Sequence, residues 1–185
     1  VAAIAEQHGH GGLTAGSVVA LQMANTVEFP LALLAILRAG MVAAPLPQLW
    51  RQADLVDALN RIGARGFVCA GTIDGIDHGG IAMSAAAEVF SIRHVCGFGA
   101  NIPDGVTPLD IDAAATSPRS SPFEGDARRA AIVTFDLTAH GRRAVPRNHA
   151  QLIAGALAIS LECGHAAGGA ILSTLAPSSF ATLGA

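Results

Sequence analysis

Short apolar runs alternate along this chain with longer segments in which apolar residues recur every three or four positions. The short runs predict strands at residues 17–23, 41–46, 66–70, 93–98, 130–134 and 170–175. The longer segments predict helices at residues 25–38, 49–62, 81–90 and 147–163. Strands that alternate with helices of this length favour a parallel sheet with right-handed crossovers. The predicted fold class is therefore α/β, with a layered, mainly parallel sheet flanked by helices.

The first two predicted helices carry local signals. Asn25 and Glu28 have the spacing of a capping box, and Pro30 is tolerated if it lies in the first helical turn, where a missing N–H costs little. Gly40 supplies a stop for the first helix. The second helix is amphipathic, and its apolar face consists of Leu55, Val56, Leu59 and Ile62.

The chain divides into three stretches within a single partial domain. Residues 1–111 form the first α/β portion. Residues 112–126 are rich in Ser, Pro and Ala without periodicity and predict a flexible linker. Residues 127–185 contain a strand, a loop, a helix and a following strand.

Composition and charge narrow the classes of function. Hydrophobic residues make up 51% of the chain and charged residues 14%, which is typical of a buried sheet rather than a disordered chain. The formal net charge is −3 and the arginines occur singly or in pairs, so we expect no nucleic-acid partner. The longest apolar runs contain a charge or are too short to cross a bilayer, so we expect no membrane span.

The remaining signals concern compartment and metal sites. Cys69, Cys96 and Cys163 form no C-x-x-C pair, which favours a reducing, cytoplasmic location and core thiols over disulfides or zinc. His8 and His10 lack a third ligand nearby, so they predict a Gly-rich loop and no metal site. The first residues, VAAIAEQHGHGG, lack the features of a secretion signal and are expected to be the end of a helix from a longer chain.

Residues 129–152, RAAIVTFDLTAHGRRAVPRNHAQL, predict a buried strand, then a loop with two adjacent arginines, then a helix. A loop that opens onto a helix start presents free backbone N–H groups and the positive end of the helix dipole to an anion. This stretch therefore predicts a phosphate-handling loop.

A known family shares these patterns. Residues 16–46, GSVVALQMANTVEFPLALLAILRAGMVAAPL, resemble the early part of the adenylate-forming (AMP-binding) enzymes, which include the acyl-CoA synthetases. Members typically show G-D-x-V-A-L, N-x-x-E-F and L-A-x-L-x-A-G-x-V-x-x-P-L. Residues 50–68, ending in IGARGFV, resemble the family's next helix and strand, and the resemblance is weak from residue 73 to 126. It implies that the chain is part of the large amino-terminal domain of such an enzyme.

The loop at residues 134–145 lies where that family carries T-S-G-T-T-G-x-P-K-G-V, a signature that binds the phosphates of ATP. The resemblance implies phosphate contact by Thr134, Thr138, Gly141 and Arg143, with support from His149. Arg143 aligns with the family's lysine if the loop holds one extra residue. The departures from the pattern are Phe135, Asp136, Leu137 and Ala139 in the loop, and Phe180 near the usual histidine of L-P-x-F-H-x-x-G. Asp136 would repel a phosphate unless it pairs with an arginine or a metal.

The resemblance implies a two-step ligation with ATP, Mg²⁺ and coenzyme A as cofactors. A small-molecule carboxylic acid attacks the α-phosphate of ATP to give an acyl-adenylate and pyrophosphate, and a thiol then displaces AMP. The family's later motifs are not found in these residues, so we expect residues 1–185 alone to be inactive. Apolar surface at the two ends is expected to favour association with missing chain or with a second copy.

Three alternatives stay open at this point. The protein could be a noncatalytic relative that binds or scaffolds, because fold and chemistry are separable. The loop could instead be a plain strand-to-helix connection, in which Arg142, Arg143 and Arg147 are charges that flank a helix and His149 caps or packs. Gly97-Phe98-Gly99 after a strand suggests an unrelated dinucleotide turn, although it lacks a third glycine and an immediate helix.

Overall fold

The computed structural model describes residues 13–111, 124–164 and 172–183 of the 185-residue chain. The Gly-rich stretch with His8 and His10, residues 112–123 of the predicted linker and the first part of the predicted strand 170–175 lie outside the described residues. Residues 124–126 and 172–175 are described and lie in neither a helix nor a strand.

The described elements include every predicted strand and helix between residues 17 and 163, together with four strands and one short helix that the sequence did not predict. The strands are β1 (Val18–Gln22), β2 (Val42–Pro45), β3 (Gly66–Ala70), β4 (Thr72–Ile73), β5 (Ile76–Asp77), β6 (His94–Phe98), β7 (Thr107–Pro108), β8 (Ala130–Thr138) and β9 (Gly141–Asn148). The helices are α1 (Glu28–Arg38), α2 (Gln52–Ile62), α3 (His78–Glu88), α4 (His149–Glu162) and α5 (Phe180–Leu183). None of the helices among the described residues has the length and apolarity needed to cross a membrane.

Seven strands form the main sheet in the order β7-β6-β3-β1-β2-β8-β9. Every neighbouring pair is parallel except β8 and β9, which are antiparallel. The short strands β4 and β5 form a separate antiparallel hairpin. The predicted α/β class, with a mainly parallel sheet flanked by helices, is confirmed.

Alternate side chains of the strands pack into two hydrophobic cores, one on each face of the sheet. One core joins Val19 and Leu21 of β1 to α1, with Leu152 of α4 packed against it. The other joins Ala20 of β1 and Phe67 of β3 to α2 and α3. We call these the α1 face and the α2 face. Two buried faces explain why the parallel strands are apolar at nearly every position.

The predicted helix ends agree with the structure less well than the predicted helices and strands do. The predicted capping box of α1 is wrong, because the helix begins at Glu28 and its N-cap, Val27, makes no side-chain cap hydrogen bond. Pro30 lies in the first helical turn, as expected. In α2 the predicted apolar face is oriented inward, with Leu55 and Leu59 fully buried.

His78, the first residue of α3, is only 1% exposed, and its Nδ1 has no hydrogen-bond partner among the described residues. Burial, reinforced by the positive charge of Arg51, lowers the pKa of His78 below its ordinary value of 6.5, and the Asp77 carboxylate opposes this only in part. The folded protein therefore holds a neutral imidazole at a pH where the unfolded chain binds a proton.

We expect stability to fall as pH drops below about 6.5, because the unfolded state then gains protons that buried His78 does not take up. His78→Asn removes the titrating group while keeping a small polar side chain. Thermal unfolding between pH 5 and 8 should show a smaller acid destabilisation in this variant than in the parent protein. Equal pH slopes for the two proteins would contradict the assignment.

Candidate functional site

The predicted phosphate loop is the tip of the β8–β9 hairpin. Only Ala139 and His140 connect the two strands, and Gly141 closes the turn with a φ of 99° that L side chains rarely adopt. The Thr138 hydroxyl donates to the carbonyl oxygen of Gly141 at 2.8 Å and accepts from the N–H of His140 at 3.2 Å. The tip is therefore a tight, internally hydrogen-bonded turn.

The order strand, loop, helix is wrong, because residues 141–148 form a strand before α4 begins. That strand separates the turn from the helix start by roughly 23 Å at the usual rise per residue. The helix start is also occupied: Asn148 Oδ1 accepts from Gln151 N at 2.8 Å, and Asn148 N donates to Gln151 Oε1 at 3.0 Å. A helix dipole at α4 cannot hold an anion bound at Thr138.

The register of the hairpin decides which side chains share a face. Thr134 pairs with Val145, Asp136 with Arg143 and Thr138 with Gly141, so these positions lie on the α1 face. The intervening positions face α2, and they include Phe135, Leu137, Arg142 and Ala144. The structure therefore brings four of the five predicted phosphate-contact residues onto one face of one hairpin.

Charge on that face is arranged across the two strands. Arg143 is exposed and its Cα stands directly opposite that of Asp136, so the two residues of opposite charge are cross-strand neighbours. A Cβ placed on Gly141 would have no heavy atom within 4 Å, so the space beside the turn is open. Thr134 lies deeper, at 3% exposure, and its hydroxyl has no hydrogen-bond partner among the described residues.

His149 is not brought together with the other predicted residues. It is the first residue of α4, at the end of the hairpin opposite the turn. It lines a cavity of about 230 Å³ together with Leu37, Gly40, Asp126 and Arg129. His149 therefore lies apart from the other four predicted residues.

Sequence reasoning missed a contact on the α1 face. The Arg147 guanidinium carbon lies 3.8 Å from the centre of the Phe180 ring. Arg147 is two positions from Val145 on the same strand, so it shares the face of Thr134 and Arg143. Phe180, which departs from the family's histidine, thus packs against the hairpin that carries the predicted phosphate residues.

The carboxyl ends of β1, β3 and β6 enclose a second cavity of about 150 Å³, lined in part by Thr26, Glu28, Thr72 and Gly99. Cys69 and Cys96 lie beneath this edge, and burial raises the pKa of the Cys69 thiol to about 12 and that of the Cys96 thiol to about 11. The expectation that both are core thiols is confirmed. No group of three or more potential metal ligands occurs in the part of the chain that the structure describes.

The family described as AMP-binding enzyme matches residues 5–138, well over half of the chain. This chain belongs to the AMP-binding enzyme family. The match extends through β8 and ends at Thr138, the last residue before the turn. The resemblance of residues 16–46 to adenylate-forming ligases is thereby confirmed.

Two known relatives align with this chain over different lengths. The salicyl-AMP ligase / salicyl-S-ArCP synthetase of Mycobacterium tuberculosis is 29% identical over 160 residues, which cover 83% of this chain and 27% of that protein. A long-chain-fatty-acid–CoA ligase of Salmonella typhimurium is 33% identical over 84 residues, which cover 45% of this chain and 14% of that protein. The chain thus spans about a quarter or less of the length of these relatives.

Solved structures confirm the fold. The acetoacetyl-CoA synthetase from Streptomyces lividans superposes with a TM-score of 0.83 at 15% identity, over 96% of this chain and 29% of that chain. The anthranilate CoA ligase AuaEII in complex with anthranoyl-AMP superposes with a TM-score of 0.72 at 14% identity, over 83% of this chain and 29% of that chain. At these identities the likeness shows the fold alone.

Proposed function

We propose that the full-length protein is an ATP-dependent acid–thiol ligase. It activates a small carboxylic acid as an acyl-adenylate, with release of pyrophosphate, and transfers the acyl group to the thiol of coenzyme A. The family membership of residues 5–138 supports the reaction class. The β8–β9 hairpin supports a place for the phosphates, because its α1 face carries Thr134, Thr138, Gly141 and Arg143.

The observation that carries this proposal is that Arg143 lies on the same face as Thr138, and that the space beside Gly141 in the turn is open. A guanidinium and a hydroxyl are donors that suit phosphate oxygens. Asp136, opposite Arg143, would face Mg²⁺ or the arginine rather than the phosphate itself. Such groups would stabilise the charge that develops on the transferring phosphorus.

The relatives suggest two classes of acid for testing. The relative aligned over 83% of this chain is named for salicyl transfer, and the one aligned over 45% is named for long-chain fatty acids. An aromatic acid is therefore the first substrate class that we propose, and a long-chain fatty acid is the second.

We expect the full-length protein to exchange labelled pyrophosphate into ATP when salicylate or dodecanoate is supplied with Mg²⁺. Adenylate formation is reversible, so this exchange reports the first step without requiring the thiol. Residues 1–185 alone should show no exchange, because they span only 27% of the length of the salicyl-AMP ligase. Absence of exchange with a panel of aromatic and aliphatic acids, in a folded full-length protein that binds ATP, would argue against the ligase.

A noncatalytic relative is the second candidate, and the turn is the observation that favours it. The Thr138 hydroxyl is already engaged in hydrogen bonds within the turn, and Asp136 shares the face on which a phosphate would lie. Calorimetric titration with Mg·ATP separates the two candidates, because a scaffold whose phosphate loop has decayed should bind no nucleotide.

A further inference from the structure

The α2 face of the hairpin makes a set of contacts that the phosphate proposal does not use. Phe135 and Arg142 both reach Trp50, which immediately precedes the start of α2. The rings of Trp50 and Phe135 are 5.3 Å apart and meet edge to face at 72°. The Arg142 guanidinium carbon lies 4.8 Å from the centre of the Trp50 ring.

The first turn of α2 adds carboxylates to this contact. Arg142 Nη2 forms an ion pair with Asp54 Oδ1, and its Nη1 donates to the backbone carbonyl oxygen of Asp54 at 3.4 Å. Asp57 Oδ2 lies 3.8 Å from the same Nη1. Asp54 also accepts from the N–H of Arg51, and this hydrogen bond is the main reason that its pKa is lowered. Arg142 therefore meets a carboxylate that is held ionised by its own helix start.

Trp50 is in turn fixed to the centre of the sheet. Gln22, the last residue of β1, is fully buried, and its Nε2 donates to the carbonyl oxygen of Trp50 at 2.9 Å and to that of Pro47 at 3.1 Å. The contacts thus run from the central strand through Trp50 to Phe135 and Arg142 of the hairpin. We call Trp50, Asp54, Phe135 and Arg142 the hairpin dock.

We propose that Trp50 and Arg142 are positioning residues that hold the β8–β9 hairpin on α2 and so present Arg143 and Thr138 to the phosphates. The alternation of the strand divides the two adjacent arginines: Arg142 is used in the dock, and Arg143 points to the other face. Phe135 is the aromatic partner of Trp50 in the dock. This inference rests on the proposed function only where it predicts an effect on ATP binding.

Two readouts on the full-length protein test the dock. Hydrogen exchange of the amides in residues 135–144 reports hairpin opening without turnover. The KM for ATP in pyrophosphate exchange reports the consequence for binding. We expect Trp50→Ala and Arg142→Gln to speed exchange of these amides about tenfold, with the amides of α3 unchanged. We expect KM for ATP to rise about fivefold or more while kcat changes less than twofold.

The controls separate positioning from general destabilisation. Trp50→Phe keeps an aromatic ring for Phe135 and Arg142 and should restore values near those of the parent protein. Leu49→Ala removes an adjacent apolar side chain that is 83% exposed and should change nothing. Arg142 is a surface residue at 26% side-chain exposure, so its variant should fold even if Trp50→Ala does not.

The outcomes decide the dock independently of the ligase. Unchanged exchange of residues 135–144 in both variants would overturn it, and so would equal acceleration across the whole sheet. If the parent protein shows no pyrophosphate exchange, the proposed function fails, and hydrogen exchange still decides whether the hairpin is docked.

Discussion

Gly71→Ala is expected to destabilise the sheet by about 3 kcal/mol or more. A Cβ at this position would lie 2.0 Å from the carbonyl oxygen of Ala100 and 3.1 Å from its carbonyl carbon. Both atoms belong to the backbone, so no side-chain rotation can relieve the overlap. Gly71 also donates to Phe98 O at 2.8 Å and accepts from His78 N at 3.0 Å, which fixes the loop after β3 against β6.

Gly155→Ala is the matched control, because the same added methyl group has the opposite expected sign. Its Cβ would meet the Phe180 ring at 3.7 Å, an ordinary contact, and an interior helix glycine costs about 1 kcal/mol relative to alanine. Hydrogen exchange of the β3 and β6 amides measures the Gly71 effect, and that of the α4 amides measures the control. Parent-like protection of β3 in Gly71→Ala would show that the loop can shift without cost.

Arg143→Gln in the full-length protein is expected to lower kcat/KM for ATP in pyrophosphate exchange by about 100-fold. This is the loss typical when one preorganised donor to a developing oxyanion is removed, and here a charge is lost as well. Arg142 cannot substitute for Arg143, because strand alternation places Arg142 on the opposite face, where it pairs with Asp54 of α2. Arg143→Lys should recover part of the activity, since a point charge remains.

Arg61→Gln serves as the control for this experiment. It removes an exposed arginine that pairs with Asp57 on the surface of α2 and has no place in the proposed site. Its kcat/KM should match that of the parent protein. If Arg143→Gln retains parent-like pyrophosphate exchange, then Arg143 does not contact the phosphates and the proposed site is wrong.

The sequence predicts helices and strands correctly where a strand is buried on both faces, or where apolar residues recur at strict helical spacing. The run GFVCA is β3 residue for residue, and Leu55 and Leu59 lie on the buried face of α2 as their spacing indicates. These positions are decided by local chain geometry and by the removal of apolar surface from water, and both can be read without knowing the partners.

Strand β9 escaped prediction for a physical reason. Its residues are polar or partly exposed along most of their length, so the run GRRAVPRN lacks the apolar signal of the buried strands. It is a strand because β8 offers an antiparallel partner across a two-residue turn. The capping of α4 is local by contrast: Asn148 and Gln151, three residues apart, satisfy each other at a helix start that was expected two residues earlier.

The amino-acid sequence by itself determined the layered parallel sheet, the family of the chain and the segment that carries the candidate phosphate residues. Only the tertiary structure decided which side of that segment each residue occupies. Strand pairing separates Arg142 from Arg143 and leaves His149 at the far end of the hairpin. The side chains of consecutive residues point to opposite faces of a strand. The two faces differ only in the folded protein, where α1 packs on one face of the sheet and α2 on the other.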